Sequence, residues 1–295
     1  MTISAADTHT EMAMQWCATF TEADYPRCRQ IAYDMVEQAT RERLDEPIFA
    51  YKSIAQSLHF LGEHAEAKRV AERVRREAKG FIPCTSVHPY VSMGIVLARI
   101  ACLTGDGQEA VEIAADTLAR SRRDNLIANC HAIALACAPI AIWTDDEQAA
   151  RSYAFELMEE AGGDGLNYWR NWGRRLLRAI DLRFNPHEVN EEPLEVDSLD
   201  AIEADHLATV DGRAISELAL RRVAEGTVGW TKPEVLRTQA STAIWFDPAA
   251  ARRLLAEARA TALEQGAIAW VKRIDETAAQ HGGRFPPPHH PTLGP

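Results

Sequence analysis

A chain of 295 residues, of which 46% are hydrophobic and 25% charged, has the composition of a globular protein and can bury a sizeable core. Its 43 acidic residues outnumber its 32 basic residues, and the net charge of −11 disfavours direct binding to nucleic acid or to an anionic membrane surface. The segment Met1 to Thr10 lacks the basic start and apolar run of a secretory signal, so we expect a cytoplasmic protein with no membrane partner.

A short turn pattern recurs along the chain. In each copy an acidic residue able to cap a helix is followed four residues later by alanine or, once, by cysteine. The first four copies are spaced by about 40 residues, close to the period of the longer helical-pair repeats. The pattern therefore predicts stacked helical hairpins, with the acidic residue of each turn at Asp24, Glu63, Asp106, Asp146 and Asp247.

Apolar residues at helical spacing predict helices on both sides of these turns, whereas strand signals are nearly absent. In the first part of the chain we expect helices over 48–61, from about 64, over 90–103, 110–118, 125–143 and 148–160, and from 166 to about 182. In the C-terminal part we expect helices from about 202 and over 213–225, 232–245, 248–265 and 267–281.

Composition divides the chain into five segments. A helical-repeat array is expected over 11–184, and repeats of the same array over 202–281. Between them, the acidic and proline-containing segment 185–201 predicts an inserted loop. Disorder is expected at the N-terminus, 1–10, and in the proline-rich tail, 282–295.

The six cysteines are scattered without a paired C-x-x-C spacing, and buried reduced thiols explain them. Cys84 lies near His88, and Cys130 lies beside His131, so residue types that bind metals do meet in the sequence. Structural zinc needs four convergent ligands, and the other two are not apparent. We therefore expect neither a metal nor a cofactor.

Two tryptophan-containing elements carry a resemblance to a known family. One is Trp-x-x-Trp-Gly at 169–173, and the other is Trp-x-x-Pro-Glu-x-Leu-Arg at 230–237. Together with segments 57–62 and 129–143, they resemble the tetratricopeptide-like sensor region of large bacterial signal-transduction ATPases, over about residues 25–280. The chain lacks a G-x-x-x-x-G-K-[ST] phosphate loop, so the resemblance extends to the sensor arm alone.

The resemblance implies an all-α fold, a right-handed superhelical array of tetratricopeptide-like helical hairpins. It implies a regulatory or scaffolding role in signal transduction, with a protein or peptide partner such as a transcription-regulator module acting in trans. It does not imply ATP hydrolysis or DNA binding by this polypeptide.

The densest aromatic and cationic cluster lies at 168–175. On a helix Trp169 and Trp172 share one side, and Arg170 and Arg174 share a neighbouring side. Tryptophan and arginine are favoured at recognition sites, so the cluster is a candidate anchor pocket. The alternative is that the tryptophans belong to the core between repeats and that the arginines pair with surface acids.

Catalysis finds little support in the sequence. His131 beside Cys130 suggests a base next to a thiol, but adjacent helical residues point about 100° apart. The common nucleophile, metalloprotease and dinucleotide motifs are absent. We therefore expect a protein that is not an enzyme.

Two binding functions remain open. The first is recognition of a protein or peptide on a concave face built from the first helices of successive pairs. The second is a small-molecule sensor with a pocket lined by the Trp169–Arg175 and Trp230–Arg237 helices. The candidate binding residues are Asn129, His131, Tyr168, Trp169, Trp172, Arg174, Trp230 and Arg237.

Overall fold

The computed structural model describes residues 5–42, 48–78, 87–162, 166–185, 187 and 199–281, and all regular secondary structure within these ranges is helical. The expectation of an all-α fold is therefore confirmed. The helices in chain order are α1 (Ala5–Thr21), α2 (Tyr25–Glu42), α3 (Ile48–Phe60), α4 (His64–Glu77), α5 (Pro89–Leu103), α6 (Gly107–Asp124), α7 (Leu126–Ala132), α8 (Ala138–Trp143), α9 (Glu147–Glu160), α10 (Asn167–Phe184), α11 (Ala201–Leu207), α12 (Glu217–Glu225), α13 (Lys232–Ala243), α14 (Pro248–Glu264) and α15 (Ile268–His281).

One continuous helix comprises α7, a π-helical turn at Ile133–Cys137, and α8. Within the described ranges it is the one helix that is long and apolar enough to span a bilayer by length and composition, and 83% of its apolar window is buried inside the protein. This burial accounts for its apolar composition.

The recurring turns have the geometry that their sequence predicts. The carboxylates of Asp24, Asp106, Asp146 and Asp247 each accept a hydrogen bond from the backbone N–H three residues on, at 2.9–3.0 Å. Glu63 differs, because its longer side chain makes no cap and instead pairs with Arg29 at 2.6 Å. The residue before the acid is left-handed in the first four turns, which are at Ala23, Gly62, Gly105 and Asp145.

The small residue of each turn pattern is fully buried. Cys28, Ala67, Ala110, Ala150 and Ala251 all have 0% exposed surface. Each lies in the first turn of the second helix of a hairpin, where a small side chain lets two helices approach closely. The pattern thus combines an acidic residue at the start of a helix with a small residue that lies at a helix–helix contact.

We expect Ala110→Leu to destabilise the protein by about 1 to 3 kcal/mol, because the added methylenes must enter a packed contact between α5 and α6. Ala115→Leu is the matched control, since Ala115 is exposed on the same helix. Urea unfolding of both variants measures the difference. Equal stability of the two variants would contradict the proposed role of the turn alanine.

The C-terminal part, residues 199–281, packs against the turns of the hairpins. The Gly229 N–H donates to the Phe60 carbonyl at 2.9 Å, and Arg222 Nη2 donates to the Ala23 carbonyl at 3.0 Å. A Cβ at residue 229 would lie 1.9 Å from the Leu61 carbonyl oxygen, so the approach requires glycine. The first and last parts of the chain therefore form one body.

Several segment boundaries differ from expectation or lie outside the described residues. Helix α1 begins at Ala5, inside the N-terminal segment where we expected disorder, and it is docked by Trp16, which is 2% exposed. The helix expected over 213–225 starts at Glu217 because Ser216 caps it. Most of the acidic loop at 185–201, the tail at 282–295 and Cys84 lie outside the described residues.

Candidate functional site

Helices α1, α3 and α5 and the π-helical turn enclose a cavity of about 250 Å³, which we call the Arg99 cavity. Aromatic side chains from α1 and α3, Trp16, Phe20 and Phe60, form much of its apolar wall. Trp16 stacks on Phe20 with a ring-centroid distance of 4.8 Å, and Phe20 meets Phe60 edge-on at 5.5 Å. One side of the wall is therefore aromatic.

Arg99, from the middle of α5, is the central polar residue of the cavity wall and is 0% exposed. Its Nε donates to His59 Nε2 at 2.7 Å, and its Nη1 donates to the Leu135 carbonyl at 3.0 Å and to His206 Nε2 at 2.5 Å. The guanidinium carbon lies 4.1 Å from the centroid of the Trp230 ring, which gives a cation–π contact.

The Arg99 charge has no acidic partner among the described residues. No carboxylate lies within ion-pair distance of the guanidinium there, and its Nη2 is buried without a hydrogen-bond partner. Burial lowers the pKa of Arg99 to about 9, so the side chain is still a cation at neutral pH. An uncompensated buried cation is costly, and this one lies at the wall of a cavity.

The histidines around Arg99 are neutral acceptors. Since Arg99 donates to His59 Nε2, the proton of His59 lies on Nδ1 and is donated to His64 Nδ1 at 3.2 Å. The proton of His64 is then on Nε2, which is buried and has no partner. Burial and the Arg99 charge lower the pKa of His59 well below its ordinary value and that of His64 to about 3.

A second buried cation, Lys52 of α3, lines the same cavity and is 4% exposed. Its Nζ lies 4.8 Å from the Phe49 ring and 5.2 Å from the Trp16 ring. His131 also lines the cavity, and its Nδ1 donates to the Ile127 carbonyl at 2.8 Å, so Nε2 is left as an acceptor. Burial lowers the pKa of His131, and the nearby Lys52 charge lowers it further.

Four of the candidate residues from the sequence belong to a chain of ring contacts that reaches Arg99 at Trp230. His131 lies 4.8 Å from Trp169, Trp169 stacks on Trp172 at 5.5 Å, and Trp172 reaches Trp230 through His206. Trp169 and Trp172 are buried, as the core alternative for this cluster expects. Of the eight candidates, His131 is the one that lines the Arg99 cavity.

The other four candidates do not line the cavity. Tyr168 is 42% exposed, and its ring contacts those of Trp169 and Trp172 at 4.8 and 5.7 Å. Arg174 is exposed and donates to Asn171 at 3.4 Å. Asn129 is buried and accepts from Ser121 Oγ at 3.2 Å. Arg237 pairs with Glu234 at 2.9 Å. The cavity is therefore formed by α1, α3 and α5, and not by the two helices from which we expected a pocket.

Sequence reasoning missed Arg99 and Lys52. A signal was present, because each is the single Lys or Arg in a helix that has no acidic residue: Arg99 in Pro89–Leu103 and Lys52 in Ile48–Phe60. A lone cation on such a helix is buried and needs partners from other elements.

A second cleft, of about 410 Å³, lies among α4, α5 and α6. Arg75 of this cleft binds Asp116 and Tyr90, and Lys68 lies 4.0 Å from Glu72. The cleft is a weaker candidate than the Arg99 cavity, because Lys68 and Glu72 are partly solvated and Arg75 already has an acidic partner.

Comparison of the chain with family models, curated proteins and solved structures gives no match. Within the described ranges, no group of three or more His, Cys, Asp or Glu side chains could hold a metal ion. Function is therefore inferred from the cavity and its side chains.

We expect the protein to lose stability in mild acid. The pKa values of His59, His64, His131 and His206 are all lowered in the folded state, so below pH 6.5 the unfolded chain takes up protons that the folded chain does not. From pH 7.5 to pH 6 the free energy of unfolding should fall by as much as about 3 kcal/mol.

Urea unfolding at several pH values measures this effect. The window stops at pH 6 because burial raises the pKa of Asp205 to about 6, and the folded state then takes up a proton there that increasingly opposes the effect of the histidines as the pH falls. His64→Gln should reduce the pH dependence by about a quarter, since it removes one of four titrating groups. A pH-independent stability would contradict the assignment of neutral buried histidines.

Proposed function

We propose that this chain is a regulatory protein, not an enzyme, and that it binds a small molecule in the Arg99 cavity. The observation that supports the proposal most strongly is that Arg99, whose buried guanidinium has an unpartnered Nη2, lines a largely apolar cavity. Apolar walls with a few convergent polar groups are typical of small-molecule sites. The polar groups that line this cavity include Lys52, Gln56, His59 and His131.

The size of the cavity favours a small metabolite. A cavity of about 150 Å³ holds benzene, and the Arg99 cavity of about 250 Å³ is somewhat larger. It lies slightly below the range of about 300 to 1,000 Å³ that is usual for drug-sized ligands. We therefore expect an occupant a few atoms larger than a benzene ring.

Recognition of a peptide on an open concave face has less support and stays a prediction. The first helices of two successive pairs would form that face. The side chains of α5 from Val91 to Leu103 are buried without exception, and so are those from Ala132 to Trp143. These two helices therefore present little exposed surface to a peptide.

The proposal extends to the arrangement of the helices and to the partner. We propose a right-handed superhelical array of tetratricopeptide-like hairpins, supported by the regular turns and buried alanines described above. In this proposal the protein acts in the cytoplasm and regulates a protein partner, such as a transcription-regulator module in trans. The sequence resemblance to sensor arms of signal-transduction ATPases supports this role.

A non-catalytic role is supported by the state of the cavity histidines. His59 is bonded on both ring nitrogens, to Arg99 and to His64, and His131 has one nitrogen bonded to a backbone carbonyl. The charge of Arg99 further disfavours protonation of His59. A general acid or base would need a histidine that can gain and lose a proton near neutral pH.

A thermal-shift screen tests the proposed function. The panel consists of small carboxylates, phosphate esters, sugars, amines and neutral amides. A ligand at about 100 times its Kd stabilises the folded state by about 2.7 kcal/mol, and we expect at least one compound to raise Tm by roughly 5 °C.

Gln56→Phe fills the cavity and should abolish the shift, because Gln56 lines the cavity wall. Gln30→Phe, on the exposed face of α2, is the matched control and should keep it. The proposal fails if no compound stabilises the wild-type protein, or if an active compound stabilises both variants equally.

A further inference from the structure

We propose that the ligand of the Arg99 cavity is a small monocarboxylate with an apolar body, and that its carboxylate binds Nη2 of Arg99, the one guanidinium nitrogen without a hydrogen-bond partner. This inference rests on the proposed function and specifies the chemical class of the ligand. It is carried by three observations: the sign of the charges in the wall, the number of free donors and the nature of the remaining wall.

The wall charges are positive. Lys52 and Arg99 line the cavity, and no Asp or Glu does so in the described part of the chain. Among the groups that influence the pKa of Arg99, the carboxylate is that of Asp205, which is already held by Arg222 through hydrogen bonds of 3.0 and 2.9 Å. An anionic ligand would therefore supply the counter-charge that Arg99 lacks.

The donor geometry favours a single negative charge. The Nε and Nη1 of Arg99 are bonded to protein acceptors, and only Nη2 remains unpartnered. One free nitrogen at one uncompensated guanidinium matches a carboxylate, which carries one charge. A phosphate dianion would bring a second charge into a buried site, where a charge without a partner is strongly disfavoured.

The rest of the wall matches an apolar ligand body. Trp16, Phe20, Phe60, Ile95 and Leu135 line the cavity, and all but Phe20 are buried. Placing a ring or a short alkyl chain against these side chains removes apolar surface from water, which is favourable. An aromatic or short aliphatic acid therefore fits both the charge and the surface.

Ligand binding at Arg99 would also affect contacts that Arg99 makes with the C-terminal part of the chain. The same guanidinium donates to His206 of α11 and lies against the ring of Trp230. A carboxylate on Nη2 would neutralise the charge that these contacts now share. The ligand is thereby linked to the residues that join the hairpins to residues 199–281.

The test compares acids with their neutral amides by isothermal titration calorimetry at pH 7. The probes are benzoate, phenylacetate and hexanoate, each paired with benzamide, phenylacetamide or hexanamide, and inorganic phosphate is added as a separate probe. We expect the best acid to bind wild-type protein at least tenfold more tightly than its amide, and phosphate to bind more weakly than that acid.

Arg99→Met should remove the preference for acid over amide, and Lys52→Met should weaken acid binding. Arg253→Met, an exposed arginine of α14, is the matched control and should leave binding unchanged. The acid and amide comparison uses wild-type protein, so it holds even if Arg99→Met fails to fold.

The outcomes separate this inference from the proposed function. If acid and amide bind equally, a small-molecule site remains and the carboxylate assignment is wrong. If phosphate binds more tightly than every acid, the ligand is a phosphorylated compound and the inference is overturned. If no probe binds, the inference is also overturned, and the broader thermal-shift panel then decides whether the cavity binds any small molecule.

Discussion

The structure depends on the partners of one buried cation. Arg99 carries a positive charge at neutral pH in a position that water does not reach, and no carboxylate within the described ranges compensates it. Neutral histidines, a carbonyl and aromatic faces take the place of water around it, and they come from α3, the π-helical turn, α11 and the segment before α13. Since an uncompensated buried charge is costly, a fold that retains one beside a cavity suits the binding of an anion.

Local sequence rules predicted the helices and their turns well. The Asp106 and Asp146 caps, and the buried alanines four residues after them, depend on contacts within one hairpin, so the repeating pattern could reveal them. The contact of Gly229 with the Phe60 carbonyl joins residues far apart in the chain. Spacing within a hairpin carries no information on such a contact, which is why the covering of the turns by residues 199–281 was not predicted.

The candidate site was predicted only in part for the same reason. Aromatic enrichment marked the stacked pair Trp169 and Trp172, together with Trp230, which lies against Arg99. It did not mark the cavity itself, which only His131 among the candidates lines. Arg99 itself gave only a weak sequence signal, as the single cation of an apolar helix. Its role could not be inferred from that helix alone, because it depends on side chains from other helices. Aromatic enrichment in the sequence identifies the large side chains of a core. That Arg99 has no carboxylate partner among the described residues can be recognised only once the neighbouring helices are placed around it.

The central claim is that Arg99 binds the charged group of a small acid inside the cavity. The most direct measurement is a crystal structure of the protein soaked with 4-bromobenzoate, with the bromine located by anomalous scattering. The account predicts a bromine peak in the Arg99 cavity near the aromatic wall of α1, with the carboxylate within hydrogen-bond distance of Arg99 Nη2. A bromine peak elsewhere on the protein, with the cavity empty at a saturating concentration of the acid, would contradict it.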